Sequence, residues 1–332
     1  MAGIKDIAKI TGLSLATISR VLNDSPLVSP KTKKKVLDAA RSLDYRPNMM
    51  AAALRSGKSN IVGVIVPEIN NSFFSSIING IERELSAVGY NIIIIQSHES
   101  QEKESAAIES FIQLKTDGIL MSLSKNTKEF SFIRKLSELS IPLVFFDRGP
   151  SLEDATTVVL NDYKGAFLAT QHLIDNGCTK VFHIAGNLNV PIFQERKKGF
   201  LDALKKNDLQ VTKEHIIQLS YDTDKDEKLL QDYLDACPRT DGFFAHGDDS
   251  CLYTINLLKR LGKAIPEEIK AVGFGNTDFC VHVDPQISTI DQKCDIMGTT
   301  AVSLLLQQFD KERPLPSKEI LSPELIVRKS SK

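Results

Sequence analysis

The sequence predicts a small all-α head with a helix-turn-helix, followed by an α/β core of two lobes, each with a doubly wound parallel sheet. Three observations support this fold class. Two short amphipathic segments flank a glycine in residues 4–22, positive charge is concentrated in residues 1–60, and strand-like and helix-like segments alternate in two series after residue 61. Repeated β–α units are typical of parallel sheets covered by helices on both faces.

The helix-turn-helix is predicted from spacing and turn chemistry. Apolar residues recur at i, i+3 and i+4 positions on both sides of Gly12. Gly12 has no Cβ, so it can adopt the positive φ that a tight turn requires. Ser14 can cap the second helix through its hydroxyl. Two helices joined in this way can place the second one in the major groove of DNA.

A third helix and a short connecting segment complete the head. Ser29 and Pro30 supply an N-cap and a first-turn proline. Apolar residues then follow at helical spacing and allow this helix to cover the first two: Val36, Leu37, Ala39, Ala40 and Leu43. Four lysines lie between residues 31 and 35, and beside a helix-turn-helix they favour contact with DNA phosphates. The sequence of residues 48–54 predicts a short helix between the head and the core, which we interpret as a hinge.

The core is predicted from two series of strands with a helix after most of them. The strands of the first series begin at Ile61 and continue at 91–96, 117–122, 142–147 and 156–160, and those of the second lie at 180–186, 216–219, 242–247 and 270–274. Ligands of such folds bind at the carboxyl ends of the strands. Two lobes that face each other can close on a small ligand by a hinge motion.

Charge is distributed unevenly along the chain. The net charge is −1, yet residues 1–60 carry 11 Lys and Arg against 4 Asp and Glu, and the remainder carries 30 against 38. A basic head on an acidic body is typical of a nucleic-acid-binding protein. A bias in an ordinary solvated surface would give the same counts.

Several function classes find no support in the sequence. The five cysteines are scattered, without a CxxC pair or a Cys/His cluster, which predicts reduced thiols and no metal site. The chain contains no GxSxG, P-loop, HExxH or GxGxxG pattern, so we expect neither catalysis nor a cofactor. No apolar run approaches the roughly 20 residues that span a bilayer. With no signal-peptide pattern either, the sequence predicts a cytoplasmic protein without membrane contact.

Polar residues that follow strands are the candidate ligand contacts. The segment 70–74 follows the first strand and offers two amides and two phenylalanine rings. Asp147 and Arg148 follow a later strand, Arg196 begins a predicted helix at about residue 195, and Asp248 follows the strand at 242–247. Each has an alternative interpretation as a helix cap or a surface charge. Their equivalent positions at strand ends favour a shared ligand.

Several segments closely resemble the lactose/galactose repressor (LacI/GalR) family. In the head these are IKDIAKITGLSLATISRVLN, VSPKTKKKVLDAA and DYRPN, and in the core GVIVPEINNSFF, FFDR, RKKGF, VGFGN and SPELIVRKS. The resemblance spans the chain and implies a helix-turn-helix head at 1–46, a hinge helix and linker at 47–59, and a periplasmic-binding-protein-like core at 60–332. It implies that the lobes exchange strands, the first taking about 60–160 plus 292–322 and the second about 161–291 plus 323–332.

The function implied is a DNA-binding transcriptional regulator, most often a repressor, whose operator affinity a small effector controls. Such proteins are typically homodimers on pseudo-palindromic double-stranded operator DNA. A sugar carrier is disfavoured by the basic head, and an enzyme by the missing catalytic residues.

The resemblance assigns DNA contacts to named residues. Leu15, Ala16 and Arg20 fall where the family reads base edges, and Arg20 suits guanine O6 and N7. Residues near phosphates or groove walls are Ser14, Thr17, Ser19, Asn23, Ser29 and Thr32. Leu54 matches the hinge-helix leucine that wedges into the minor groove. Its alternative role is a contact between two hinge helices.

The resemblance also assigns the effector contacts. They are Asn71, Phe73, Phe74, Asp147, Arg148, Arg196, Asp248 and Gln292, with Tyr221 as an aromatic lid residue. Gly275 stands where many members carry an acidic contact, and Asn276 is the candidate substitute. The expected effector is a sugar or a sugar derivative, and two arginines with a lost carboxylate favour an anionic one, such as a sugar acid or a sugar phosphate. A nucleobase or another non-sugar co-repressor is the alternative effector.

Overall fold

The computed structural model of the chain describes residues 3–22, 24–45, 58–150, 152–211, 215–309 and 316–332. Contacts divide the chain into two compact units, Met1–Ser59 and Asn60–Lys332. The DNA contact predicted at Asn23, the hinge helix predicted at 48–54 and its Leu54 lie outside the described residues.

The first unit is a three-helix head. Its helices are α1 (Ile4–Thr11), α2 (Leu15–Leu22) and α3 (Pro30–Ser42). Ile7, Ile18 and Val36, one from each helix, are fully buried against one another in a shared apolar core. This core confirms that α3 covers the first two helices. Leu37 does not take part as predicted, because its position on α3 faces outward and leaves it 42% exposed.

The predicted turn and capping chemistry of the head is confirmed. Gly12 has a φ of 68°, in the left-handed region that a residue without Cβ adopts readily. The Thr17 backbone N–H donates to Ser14 Oγ at 3.2 Å at the start of α2. The Thr32 backbone N–H donates to Ser29 Oγ at 3.3 Å at the start of α3. These bonds satisfy N–H groups that the first turn of a helix leaves without partners.

The second unit contains two six-stranded sheets. Sheet 1 has the strand order β11-β5-β4-β3-β1-β2, with all neighbours parallel. Its strands are β1 (Ile61–Val66), β2 (Asn91–Gln96), β3 (Gly118–Met121), β4 (Leu143–Phe146), β5 (Thr156–Leu160) and β11 (Lys318–Leu321). The central strands are almost entirely buried, as expected for a parallel sheet covered on both faces.

Sheet 2 has the order β12-β10-β9-β8-β6-β7 and is parallel except for the pair β10–β12. Its strands are β6 (Val181–Ile184), β7 (Ile216–Ile217), β8 (Gly242–Ala245), β9 (Lys270–Gly275), β10 (Ser288–Asp291) and β12 (Glu324–Ile326). The predicted strand pattern ended at residue 274 and therefore missed β10, β11 and β12. The short β12 pairs in the opposite direction because it follows β11 after a very short connection.

Helices cover both sheets. They are α4 (Ser72–Ala87), α5 (Gln101–Leu114), α6 (Ser131–Glu138), α7 (Asp162–Asp175), α8 (Pro191–Lys206), α9 (Thr223–Ala236), α10 (Asp248–Arg260) and α11 (Cys294–Phe309). Among the described residues, no helix has the length and apolar character needed to cross a lipid bilayer. Helix α11 packs on α4 and the strands of sheet 1, whereas α7 packs on α8 and sheet 2.

The chain crosses between the two lobes three times. It leaves sheet 1 after β5 and enters α7, leaves sheet 2 after β10 and enters α11, and returns from β11 to β12. Each crossing is only a few residues long. The crossings thus form a narrow hinge region beside the carboxyl ends of the strands.

Candidate functional site

A cleft of about 280 Å³ lies between the two lobes at the carboxyl ends of their strands. Nine of the ten predicted effector residues line it: Asn71, Phe73, Phe74, Asp147, Arg148, Arg196, Tyr221, Asp248 and Gln292. They come from both lobes and from a crossing segment, so the fold brings together side chains that are far apart in sequence.

Arg196 lies in the second turn of α8, so the prediction that it begins this helix is wrong. The helix begins at Pro191, whose fixed φ and missing N–H suit the first helical position. Arg196 lies on the buried face of this helix and is 4% exposed. Its guanidinium carbon lies 3.7 Å from the centre of the Phe274 ring.

All three nitrogens of the Arg196 guanidinium have partners within the chain. Both Nε and Nη2 lie 2.7 Å from Asp162 Oδ1, and Nη1 donates to the His246 carbonyl oxygen at 2.5 Å. Nη2 also donates to Gln292 Oε1 at 3.2 Å. Asp162 and Gln292 belong to two different crossings between the lobes. Arg196 therefore ties the second lobe to both of these hinge segments.

Arg148 is held on the first lobe in a similar way. Its Nη1 donates to Glu99 Oε1 at 2.8 Å, and its Nε lies 3.5 Å from Asp147 Oδ2. Burial raises the pKa of the Asp147 carboxyl to about 6, although the neighbouring Arg148 opposes that rise. Both arginines of the cleft are thus already ion-paired with carboxylates of this chain.

Asp248 is the first residue of α10. Its Oδ2 accepts hydrogen bonds from the Thr277 backbone N–H at 2.8 Å and Thr277 Oγ1 at 3.0 Å, and its Oδ1 accepts one from Thr289 Oγ1 at 2.5 Å. A Cβ at Gly275 would lie 2.7 Å from Oδ2, and the φ of Gly275 is +152°. The glycine at this position therefore allows the close approach of the Asp248 carboxylate.

Asn276 is the one predicted effector residue that does not line the cleft. It borders an adjoining cavity of about 480 Å³, which shares Ser72, Phe73, Gly275 and Thr277 with the cleft. Its Oδ1 accepts a hydrogen bond from Arg328 Nη2 at 2.6 Å. The side-chain oxygen of Asn276 is therefore engaged with the C-terminal segment.

Tyr221 lies at the mouth of the cleft on the loop before α9. Its ring is 57% exposed and its hydroxyl is 3.3 Å from His246 Nε2. Burial, together with the positive charge of Arg196, lowers the pKa of His246 to about 4, so this imidazole is neutral at pH 7. The φ of Tyr221 is +62°, a left-handed conformation that few residues other than glycine adopt.

Sequence reasoning missed five residues that build this site. They are Glu99, Asp162, Phe193, His246 and Phe274. Asp162 could have been found, because it follows a strand of the first lobe just as Asp147 does. Phe193 and Phe274 looked like ordinary apolar residues of a helix and a strand, and only the fold turns their rings toward the cleft.

The second helix of the head presents one exposed face. Leu15, Ala16 and Arg20 are exposed on it, whereas Ile18 and Val21 face the core. Thr17 and Ser19 lie partly exposed beside them, and Ser14, Ser29 and Thr32 lie at helix starts. Lys33, one of the lysines predicted to contact phosphate, pairs with Asp24 at 2.6 Å.

Comparisons with known proteins match the whole chain. Residues 3–48 match the bacterial regulatory proteins of the lacI family, and residues 170–331 match a periplasmic binding protein-like domain. The chain is 32% identical to the HTH-type transcriptional repressor PurR of Vibrio vulnificus, with 100% of this chain and 99% of the relative covered. It is also 32% identical to catabolite control protein A of Priestia megaterium, with 99% of each chain covered.

A solved structure of the transcriptional regulator CelR in complex with cellobiose superposes with a TM-score of 0.73. It is 25% identical in sequence, and the match covers 99% of this chain and 100% of that one. The full-length match to repressors, together with the helix-turn-helix head and the two-lobed core, shows that the chain belongs to the LacI family of bacterial transcriptional regulators and is not an enzyme.

Proposed function

We propose that this LacI-family regulator is a repressor whose operator affinity changes when a neutral, hydroxyl-rich sugar binds in the cleft between the lobes. The observation that carries this proposal is the charge of the cleft. Its lining contains Asp147, Asp248 and Asp249 but only two arginines, and both arginines are ion-paired. An anionic effector would find no free cation among the described lining residues, whereas a neutral polyol needs only hydrogen-bonding groups.

The shape and the walls of the cleft support the same ligand class. Its volume of about 280 Å³ lies just below the usual range for small-molecule sites and favours a small ligand. Rings of Phe73, Phe74, Phe193 and Tyr221 supply apolar faces, which pack against the C–H face of a sugar ring. The related CelR chain was solved with cellobiose, which is also a sugar.

We further propose a role for each segment of the chain. Residues 1–46 bind DNA, residues 47–59 form a hinge helix and linker, and residues 60–332 bind the effector and dimerise. A homodimer would place two copies of α2 on the half-sites of a pseudo-palindromic operator, about one helical turn apart. Its contacts would include Leu15, Ala16 and Arg20 at base edges, with Leu54 in the minor groove at the centre.

Thermal unfolding in the presence of candidate ligands tests the sugar proposal. We expect one or more neutral sugars among D-ribose, D-glucose, D-galactose and cellobiose to raise the melting temperature. A ligand at 100 times its Kd stabilises the folded state by about 2.7 kcal/mol. D-gluconate and glucose 6-phosphate, of similar size but negatively charged, are expected to have no effect. Stabilisation only by hypoxanthine or guanine, or only by the anions, would contradict the proposal.

The Arg20→Ala variant tests DNA recognition by α2. We expect it to lose about 1–3 kcal/mol of specific binding and to discriminate less at one operator position, because arginine reads guanine through two hydrogen bonds. The measurement is a titration of labelled operator and of operators substituted at single positions. The salt dependence of each affinity is recorded in parallel.

Arg41→Ala is the matched control for Arg20→Ala. It removes the same charge from the head, at a position on α3 that is 82% exposed and lies outside the predicted DNA contacts. We expect it to weaken binding to all sequences slightly and equally. An Arg20→Ala variant that also lost affinity equally for every sequence would show that Arg20 contacts only phosphate.

A further inference from the structure

The loop that carries Tyr221 is organised around one buried carboxylate. Asp226 lies in the first turn of α9 and is 1% exposed. Its Oδ1 accepts hydrogen bonds from the Ser220 backbone N–H and from Ser220 Oγ, both at 2.9 Å. Its Oδ2 accepts one from the Tyr221 backbone N–H at 2.7 Å and one from the Tyr253 hydroxyl at 3.1 Å.

These four bonds hold Tyr221 in an unfavourable backbone conformation. A left-handed φ of +62° in a residue with a Cβ persists only where the surroundings determine it, and such residues concentrate at ligand clamps. Two of the bonds go to consecutive backbone N–H groups, at residues 220 and 221, and so fix the turn itself. The Tyr253 ring also packs against the Tyr221 ring, with 5.4 Å between ring centres and a tilt of 42° between the ring planes.

The turn places Tyr221 at the edge of the cleft, where it lines the cleft and remains partly exposed to solvent. Its hydroxyl reaches His246, whose carbonyl oxygen accepts a hydrogen bond from Arg196. Asp226 itself does not line the cleft. Any effect of Asp226 on the effector must therefore pass through the loop that it holds.

We infer that Asp226 is a positioning residue that preforms the Tyr221 loop as a lid over the effector cleft. This inference rests on the proposed function, because it requires that the effector binds in the cleft. Asparagine at position 226 would keep the size of the side chain but present one NH₂ group to donors that now point at a carboxylate. Whichever way the amide is turned, its NH₂ group would face one of the two backbone N–H groups, so at least one backbone hydrogen bond of the turn would be lost and the strained conformation would be released.

The lid can be observed without knowledge of the effector, because the chain contains no tryptophan. In a Tyr221→Trp chain the single indole reports on the loop alone. Adding Asp226→Asn to this chain is expected to lower the fluorescence anisotropy of the indole and to raise its acrylamide quenching constant roughly twofold. Both changes are expected because a released loop moves on the ns–μs scale. Asp232→Asn, an exposed aspartate on the same helix, is the matched control and should change neither value.

Measurements of ligand affinity distinguish a positioning role of Asp226 from a general loss of stability. The ligand is a sugar that stabilises the parent chain in the thermal unfolding test. Asp226→Asn should raise the Kd for this sugar about tenfold, which corresponds to 1.4 kcal/mol. In a Tyr221→Ala background the same change should have little further effect, because the residue through which Asp226 acts is gone. Additive losses, or unchanged quenching in the Tyr221→Trp chain, would overturn the inference. If no sugar binds but the quenching rises, the sugar proposal fails and the lid stands.

Discussion

Replacing Arg196 with alanine is expected to abolish the response to effector and to lower the free energy of unfolding by about 3–5 kcal/mol. The second effect arises because Asp162, which is buried, would lose Arg196, the one cation close to it among the residues that the structure describes. Burial already raises the pKa of Asp162, and Arg196 is the main group that opposes the rise. Without Arg196 the buried carboxylate must either take up a proton or remain charged without a counterion.

The loss of response has a different cause. Arg196 is bonded to Asp162 and Gln292, at two of the crossings about which the lobes would move. It also contributes to the cleft itself, beside Phe193 and Phe274. A ligand that contacts this guanidinium would therefore act directly on the hinge. DNA binding without effector should persist, because the head forms its own core.

A double variant separates stability from response. Arg196→Met with Asp162→Asn removes both charges, and we expect most of the lost unfolding free energy to return, since no uncompensated charge stays buried. The response to effector should remain absent. Denaturant unfolding measures the first quantity, and operator titration with and without the stabilising sugar measures the second. This account of Arg196 would be contradicted if Arg196→Ala had the same free energy of unfolding as the parent. It would also be contradicted if the double variant responded normally to the effector.

The local structure of the head followed from its sequence because short-range chemistry determines it. The glycine turn at residue 12 and the caps at Ser14 and Ser29 depend on residues three or four positions apart, and each formed as predicted. Leu37 was wrongly assigned to the core, since helical spacing alone does not say where the apolar face ends. That boundary depends on how closely the other helices approach.

The cleft was predicted as a set of strand ends, but its electrostatics were not. The sequence places Arg148 and Arg196 after strands, yet it does not reveal that Glu99 and Asp162 would neutralise them. These pairs join residues 49 and 34 positions apart, and they form only when the sheet order is established. The argument for an anionic effector depended on two free arginines. The ion pairs remove that premise and favour a neutral ligand.

Acidification is expected to destabilise the second lobe through one buried histidine. His183 lies in the middle of β6, with no exposed surface, and stacks on Phe244 at 4.8 Å between ring centres. Its Nδ1 lies 2.9 Å from the Phe244 carbonyl oxygen, while its Nε2 has no hydrogen-bond partner among the described residues. Burial, together with the nearby His246 and Arg196, lowers the pKa of His183 to about 3.

The sign of the pH effect follows from these values. Above pH 6.5 the imidazole is neutral in both the folded and the unfolded chain. As the pH falls from 6.5 toward 3, the unfolded chain binds a proton that the folded chain does not, so stability falls by about 1.4 kcal/mol per pH unit. His246 acts in the same direction, and Asp147, with a pKa raised to about 6, acts in the opposite one.

A difference measurement isolates His183 from these other groups. We expect His183→Phe to unfold with a shallower pH dependence, so that its stability relative to the parent rises steadily as the pH is lowered from 6.5 to about 4. The contributions of His246 and Asp147 are present in both chains and cancel. Phe182→Leu, in the same strand and without a titratable group, should lower stability by a similar amount at every pH. If the free energy of unfolding varied with pH in parallel for His183→Phe and the parent, the folded lobe would have to accommodate the imidazolium, most simply by opening around Nε2.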